Sequence, residues 1–195
     1  MAIRLIAGLG NPGARYAHTR HNIGAVWLEL LARRFGITLA EDRKAKGAFG
    51  RGDILGCDVR LLVPTTYVNL SGQAVGAVAG FYKIEPAEIL IAYDEVAFPV
   101  GRCRLKDGGG HNGHNGLKNV IAALGNDQGF ARLRIGIGHP GNADDMVAYL
   151  TRVAMPPAER EVATGASWLP DEVLRLVLAG DLQQAMNLYH APLQP

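Results

Sequence analysis

The sequence predicts an α/β fold, a β-sheet with helices on both faces, in one domain covering residues 1–195. Three observations predict it. Short apolar runs bounded by glycine, proline or aspartate alternate with stretches of helical periodicity, the pattern of strands and the helices that connect them. Apolar residues make up 48% of a 195-residue chain, which suits one ordinary domain with a buried core. No internal repeat, low-complexity tract or linker divides the chain.

The elements follow in order. Ala2 to Leu9 is an apolar run closed by glycine, the pattern of a buried strand. Asn11 to His21 is polar and turn-rich. Ile23, Val26, Trp27, Leu30 and Leu31 keep helical spacing, with Asn22 as the expected N-cap and Gly36 as the stop. Lys46–Gly52 and Val59–Val63 read as a hairpin around Leu55-Gly56-Cys57-Asp58, closed by Pro64. The charged stretch at Glu41-Asp42 reads as loop. Ser71 to Tyr82 is a helix rich in small residues, suited to close packing on a sheet. Glu88 to Tyr93 is a buried strand ending at Asp94, and Gly101 to Leu105 is a short one. Gly108 to Gly116 is a glycine, histidine and asparagine loop. Leu117 to Leu124 is a helix and Ala131 to Ile137 a strand. Residues 144–190 read as mostly helical, broken at Pro156-Pro157 and Pro170.

Composition narrows the function classes. No run of 18 apolar residues exists, so no membrane-spanning helix is expected. Met1 to Leu5 leads straight into a strand pattern without a signal-type apolar region. Two cysteines, Cys57 and Cys103, read as reduced cytosolic thiols, not a disulfide framework. The net charge is only +2. It is unevenly spread: Arg102 to Arg134 holds six Lys/Arg against two Asp/Glu, and His139 to Leu182 three against seven. A basic middle with an acidic tail is compatible with one face meeting a polyanion, and also with ordinary solvated surface.

Gly8-Leu9-Gly10-Asn11-Pro12-Gly13 has the spacing of a dinucleotide-binding loop. That mechanism needs a helix starting inside the motif, so that its first amides meet the pyrophosphate. Here helical periodicity begins only at Ile23, Pro12 removes an amide donor, and no ribose-binding acid ends a second strand. A nucleotide cofactor is therefore not expected. His21, between a polar loop and an apolar helix face, suits either a general base or a satisfied structural histidine. Asp94 suits either the acid that orients such a base or a turn former, and Asn11 and Asn69 could be plain turn residues. His111 and His114 are spaced like metal ligands, but only Asp107 offers a nearby third ligand, and no metal is expected. The glycines around these histidines imply a backbone that approaches something closely. Ester hydrolysis near neutral pH needs a base, an acid to hold it and amide donors for the oxyanion. His21, Asp94 and the set Asn11, Asn69 and Asn115 would supply these if they converge. No G-x-S-x-G elbow occurs, and neither cysteine has a nucleophile signature. Water is the expected nucleophile.

Five blocks resemble the bacterial peptidyl-tRNA hydrolases, in order and in register over residues 3 to about 141. They are Gly8 to Asn22 (GLGNPG, then Tyr16 and TRHN), Pro64 to Gly72 (PTTYVNLSG), Asp94-Glu95, Gly108 to Lys118 (GGGHNGHNGLK) and Arg132 to Pro140 (RLRIGIGHP). The tail past Met146 is only loosely similar. The resemblance implies a twisted mixed sheet and a monomer that uses no metal or cofactor. It implies cleavage of the ester between a peptide and the 3′ ribose of tRNA, which recycles stalled peptidyl-tRNA. By that resemblance His21 is the base and Asp94 holds it. Asn115 supports the active histidine or binds substrate, and Asn11 and Asn69 position peptide and water. Tyr16 and Tyr67 touch substrate, and His114 is placed with them. Arg104 and Arg134 take the tRNA 5′ phosphate. The expected location is the cytoplasm, with no membrane and no obligate protein partner. Four positions depart from the pattern: Asn112 for a usual Gly, Val68 for Met, Tyr67 for Phe and Tyr93 for His. None removes a catalytic group. Some proteins of this fold are thought to bind RNA without hydrolysis. His21, Asp94 and Asn115 argue against that here.

Overall fold

Residues 1–192 are described, in a computed structural model of the chain. Among them seven strands form one sheet: β1 (Leu5–Gly8), β2 (Ala40–Asp42), β3 (Gly47–Ile54), β4 (Cys57–Pro64), β5 (Ile89–Glu95), β6 (Cys103–Asp107) and β7 (Ala131–Gly136), in the order β2-β3-β4-β1-β5-β7-β6. The central strands β4, β1, β5 and β7 run parallel, and antiparallel pairs close both sides, so the sheet is mixed. Seven α-helices accompany it: α1 (Ile23–Arg34), α2 (Ser71–Tyr82), α3 (Asn115–Ala123), α4 (Met146–Thr151), α5 (Pro157–Ala166), α6 (Asp171–Ala179) and α7 (Leu182–Tyr189).

Side-chain alternation along the buried strands divides the core into two layers. Leu5, Ala7, Ile89 and Ile91 pack with Val75 of α2 and Leu117 of α3. Ile6, Leu90 and Leu133 pack on the other face with Leu28 of α1, Ala163 of α5, Leu174 of α6 and Ala185 of α7. Helices therefore cover both faces, as the sequence predicts. Each fully buried leucine or isoleucine contributes roughly 1.5–3 kcal/mol relative to exposure.

The glycine motif after β1 serves packing. A Cβ on Gly8 would lie 2.2 Å from the Gly24 carbonyl oxygen, and one on Gly24 would lie 2.3 Å from that of Ala92. These glycines let the first turn of α1 sit directly on β1 and β5. α1 begins at Ile23, and its first turn packs straight onto this segment, with the Ala25 amide donated to the Leu9 carbonyl at 3.0 Å, so protein backbone fills the place a bound pyrophosphate would need.

Four local readings are corrected. Glu41 and Asp42 lie in the short edge strand β2, paired with Ala48 and Gly47; three residues are too few for periodicity to show. The hairpin turn is only Leu55-Gly56, both at positive φ (54° and 87°), the two-residue geometry that matches strand twist. Asn22 precedes α1 without a side-chain cap. α3 begins at Asn115 instead of Leu117, because the His114 side chain accepts the Leu117 amide. Past α7, the His190 Nε2 accepts the Leu105 amide at 2.9 Å and covers the outer edge of β6, where unpaired strand groups would otherwise be open.

Because β1, β4 and β5 are parallel, their carboxyl ends share one rim. The loop bearing Asn11, the turn bearing Tyr67 and Asn69, and Asp94 on β5 all meet there, where open α/β sheets place their sites.

Candidate active site

Asp94 is the centre of the site. It stands one residue from the end of β5 with a side chain 1% exposed. Its Oδ2 is 2.7 Å from His21 Nδ1 and its Oδ1 is 2.8 Å from His114 Nε2. His21 sits in a short 3-10 turn leading into α1, and His114 caps α3. The carboxylate thus takes one imidazole from each helical layer. The His114 Nδ1 accepts the Leu117 amide at 3.1 Å, so its ring proton sits at Nε2 and is donated to Asp94. On His21, Nδ1–H is donated to Asp94, which leaves the Nε2 lone pair without a partner among the described residues. Fixing one ring nitrogen in this way defines the role of the other.

Electrostatics follow from this geometry. Burial disfavours charge on His21, but the charge of Asp94 and its hydrogen bond outweigh burial, and the imidazole titrates above its ordinary 6.5. Burial alone would raise Asp94, yet the two histidines and their hydrogen bonds hold its carboxyl well below the ordinary 3.8. The group stays ionised while His21 is a stronger base than a free imidazole.

A cavity of about 330 Å³ opens beside the trio, with Asn112 and Asn115 on one side and Met146, Val147 and Leu150 of α4 on the other. The asparagines divide into two kinds. Asn11 is built in: its backbone exchanges two hydrogen bonds with the Asn22 side chain, both 2.8 Å, and its Oδ1 accepts the Val68 amide at 2.7 Å. That arrangement ties the loop after β1 to the turn after β4, and Asn11 Nδ2 has no hydrogen-bond partner among the described residues. Asn69 and Asn115 are exposed. Tyr16 and Tyr67 meet edge to face on the same rim, with ring centres 6.3 Å apart. Arg104 and Arg134 lie opposite each other across β6 and β7, and the Arg134 guanidinium donates to Glu95 Oε1 at 2.7 and 3.0 Å.

His21, Asp94, His114 and Asn115 are therefore brought together. Asn11 and Tyr67 share the rim with them, Asn69 stands in the Tyr67 turn, and Arg134 is tied to the cavity wall through Glu95, with Arg104 opposite it on β6. His114 holds Asp94 with one ring nitrogen and caps α3 with the other. Its position just before a helix was the only sequence signal for this. Sequence reasoning also missed Asn22 as the bracket of Asn11, Glu95 as the partner of Arg134, and the apolar wall from α4. Each depends on residues far apart in the chain.

The metal question shifts with the structure. His111 accepts the Gly113 amide and stands outside the cluster. The trio that could hold an ion is His21, Asp94 and His114, whose ligand atoms lie within 4.8 Å of one another. Coordination there would need His114 Nε2 as a lone pair, which its cap at Nδ1 opposes.

Known proteins resemble this chain along nearly its whole length. A sequence model of the family described as peptidyl-tRNA hydrolase matches residues 5–195. A Pseudomonas fluorescens peptidyl-tRNA hydrolase is 52% identical over 190 residues, covering 97% of each chain. One from Shewanella baltica is 51% identical over 192 residues, covering 97% of this chain and 96% of its own. The crystal structure of the Acinetobacter baumannii enzyme superposes with a TM-score of 0.91 at 47% identity, covering 97% of this chain and 95% of that one. With identity at this level over nearly the whole length, the chain belongs to the peptidyl-tRNA hydrolase family.

Proposed function

We propose that this single-domain chain hydrolyses the ester joining a peptide, or an N-blocked aminoacyl group, to the 3′ ribose of tRNA. The observation that carries the reading is the His21–Asp94 pair at 2.7 Å with His21 Nε2 left open beside the cavity. His21 Nε2 takes a proton from water as the water oxygen bonds to the ester carbonyl carbon. Asp94 keeps the ring oriented and stabilises the imidazolium that forms. Free amide donors on Asn11, Asn69 and Asn115 serve the developing oxyanion and the peptide. The bond to the ribose oxygen then breaks, and the imidazolium returns its proton to that leaving oxygen. Cys57 lies on the hairpin and Cys103 is buried on β6, so water is the nucleophile that fits.

Tyr16 and Tyr67 flank the acyl end, and Arg104 and Arg134 take the tRNA 5′ phosphate. The chain acts as a monomer in the cytoplasm, where its tRNA substrate is made and used. The test is release of N-acetyl-amino acid from N-acetyl-aminoacyl-tRNA with EDTA present. Turnover in the chelator supports the reading. Tight tRNA binding without release would replace it with a non-catalytic RNA-binding module. Loss of turnover restored by one divalent ion, on a tRNA-free model ester, would replace it with metal chemistry at the trio.

A further inference from the structure

Arg132, on β7, has a side chain with no solvent exposure. Its recorded partners are main-chain carbonyls: Gly110 at 2.6 Å, Gln128 at 3.3 Å, and Gly109. The Phe130 ring lies 4.4 Å from the guanidinium carbon. No ion pair with an acid is present among the described residues. A buried cation without a counter-charge is costly unless dipoles converge on it. Here the converging dipoles come largely from one segment, the glycine loop. We propose that Arg132 is a positioning residue for the ester hydrolysis, gathering the glycine-loop carbonyls so that His114 and Asn115 stand correctly against Asp94. The inference rests on the reading of this site as the hydrolytic centre.

The path from Arg132 to the chemistry is short. Gly108 and Gly109 have φ of 66° and 111°, a conformation that glycine adopts freely and other residues rarely do. The glycines therefore allow the backbone to turn its carbonyls toward the buried guanidinium. Four residues beyond Gly110 stands His114. The segment between is held by the His114 amide on the His111 carbonyl at 2.9 Å and the Gly113 amide on His111 Nδ1 at 3.0 Å. A second contact leads the same way: Arg132 neighbours the Tyr93 side chain, whose ring meets the His114 ring edge to face at 5.1 Å. Arg132 differs from Arg134 two residues along. Arg134 is partly open to solvent. The Nε of Arg132 is buried and unpaired among the described residues, and its terminal nitrogens are turned to the loop carbonyls.

The test uses the full chain as Arg132→Lys and Arg132→Met. Three measurements are made: kcat and KM with N-acetyl-aminoacyl-tRNA, the salt dependence of tRNA binding, and amide hydrogen exchange at Leu117, whose N–H reports the His114 cap. Misplacing a catalytic group by about 1 Å costs on the order of 100-fold. The expected result for Arg132→Met is a fall in kcat of roughly that order, with KM and the salt slope little changed. Leu117 should exchange faster while amides of α1 keep their protection, and Arg132→Lys should recover part of kcat. An unchanged kcat in folded Arg132→Met would overturn the proposal. So would a loss confined to KM with a flatter salt slope, which would make Arg132 a phosphate contact. Parallel loss of protection at Leu117 and in α1 would reduce it to a general stability residue. If Arg132→Met does not fold, Arg132→Lys decides by the same criteria. An inactive unsubstituted chain would fail the hydrolysis reading, while Leu117 exchange would still report separately whether Arg132 holds the loop.

Discussion

At the scale of the residue, the site is an argument about where protons sit. Leu117 N–H on His114 Nδ1 and Asp94 on His21 Nδ1 together direct both imidazoles, and His21 Nε2 is the ring nitrogen left without a partner among the described residues. Removing the base leaves the rest of the structure in place. His21→Ala should lower kcat by on the order of 10²–10⁴-fold while tRNA affinity stays near that of the unsubstituted chain. Single-turnover hydrolysis beside a binding isotherm checks both, and a folded variant with ordinary turnover would remove His21 from the mechanism. The pH profile follows from the electrostatics. A general base at His21 would act only when neutral, and Asp94 raises it above 6.5. The acid limb of kcat/KM should therefore have its midpoint above 6.5, with activity climbing as pH rises through it. Asp94→Gln or Asp94→Asn removes the charge that raises His21, so the residual activity of either variant should have its acid limb displaced to lower pH.

At the scale of the element, two contacts bear on the proposed function. The first is α1 on β5, which sets the height of His21 over Asp94. Gly24 has no room for a methyl group against the Ala92 carbonyl. Gly24→Ala should destabilise the fold by on the order of 1–3 kcal/mol and reduce kcat in the folded fraction, since the backbone must shift beside His21. Urea unfolding monitored together with activity tests this, and a variant of ordinary stability would show that the helix can lift without consequence. The second is the β6–β7 pair, where Arg104 stands directly opposite Arg134. Like charges opposite one another disfavour a strand pair, and a bound phosphate would relieve them. Arg134→Ala alone would leave Glu95 buried and unpaired, so the informative background is Glu95→Gln. In that background, loss of Arg134 should raise KM with kcat little changed and reduce the slope of log affinity against log salt by about one unit. Removing the tRNA 5′ phosphate should then add little further loss. Additive losses would mean that Arg134 does not meet that phosphate.

At the scale of the whole molecule, stability and activity are set against each other by the same pair. The folded pKa of Asp94 lies below 3.8, so its contribution to stability is present above that pH and is lost as pH falls through the folded value. The folded pKa of His21 lies above 6.5, so its contribution is fully present below 6.5 and is lost as pH rises through the folded value. The pair therefore stabilises most between about 4 and 6.5 by these two pKa directions, while hydrolysis gains on the alkaline side, where His21 is neutral. Denaturant midpoints across pH, compared with those of a His21→Ala, Asp94→Asn double variant, should show the excess stability of the unsubstituted chain shrinking on both flanks. A constant difference would mean the pair is not coupled to folding.

Local chemistry and order along the chain were enough to read the α/β alternation and a sheet covered on both faces. The family was legible because the motifs are long and in register. The positions of His21 after a polar loop and Asp94 at the end of an apolar strand suited either chemistry or structure, and only the structure brought the two side chains to 2.7 Å. Three-residue β2 was not legible, since periodicity needs more residues than that strand has. Neither was the double duty of His114, the bracket between Asn22 and Asn11, the Arg134–Glu95 pair, or the buried Arg132 beneath the glycines. In sequence an arginine on a strand looks the same whether it faces solvent, a phosphate or a cradle of carbonyls. Sequence by itself determined which groups the chain carries and the period on which they recur. Only the tertiary structure decided most of the partners in the site, because they lie far along the chain: 11 residues for Asn11 and Asn22, 39 for Arg134 and Glu95, and 73 for His21 and Asp94. Contacts at that separation are set by how the sheet stacks its strands and not by any local preference.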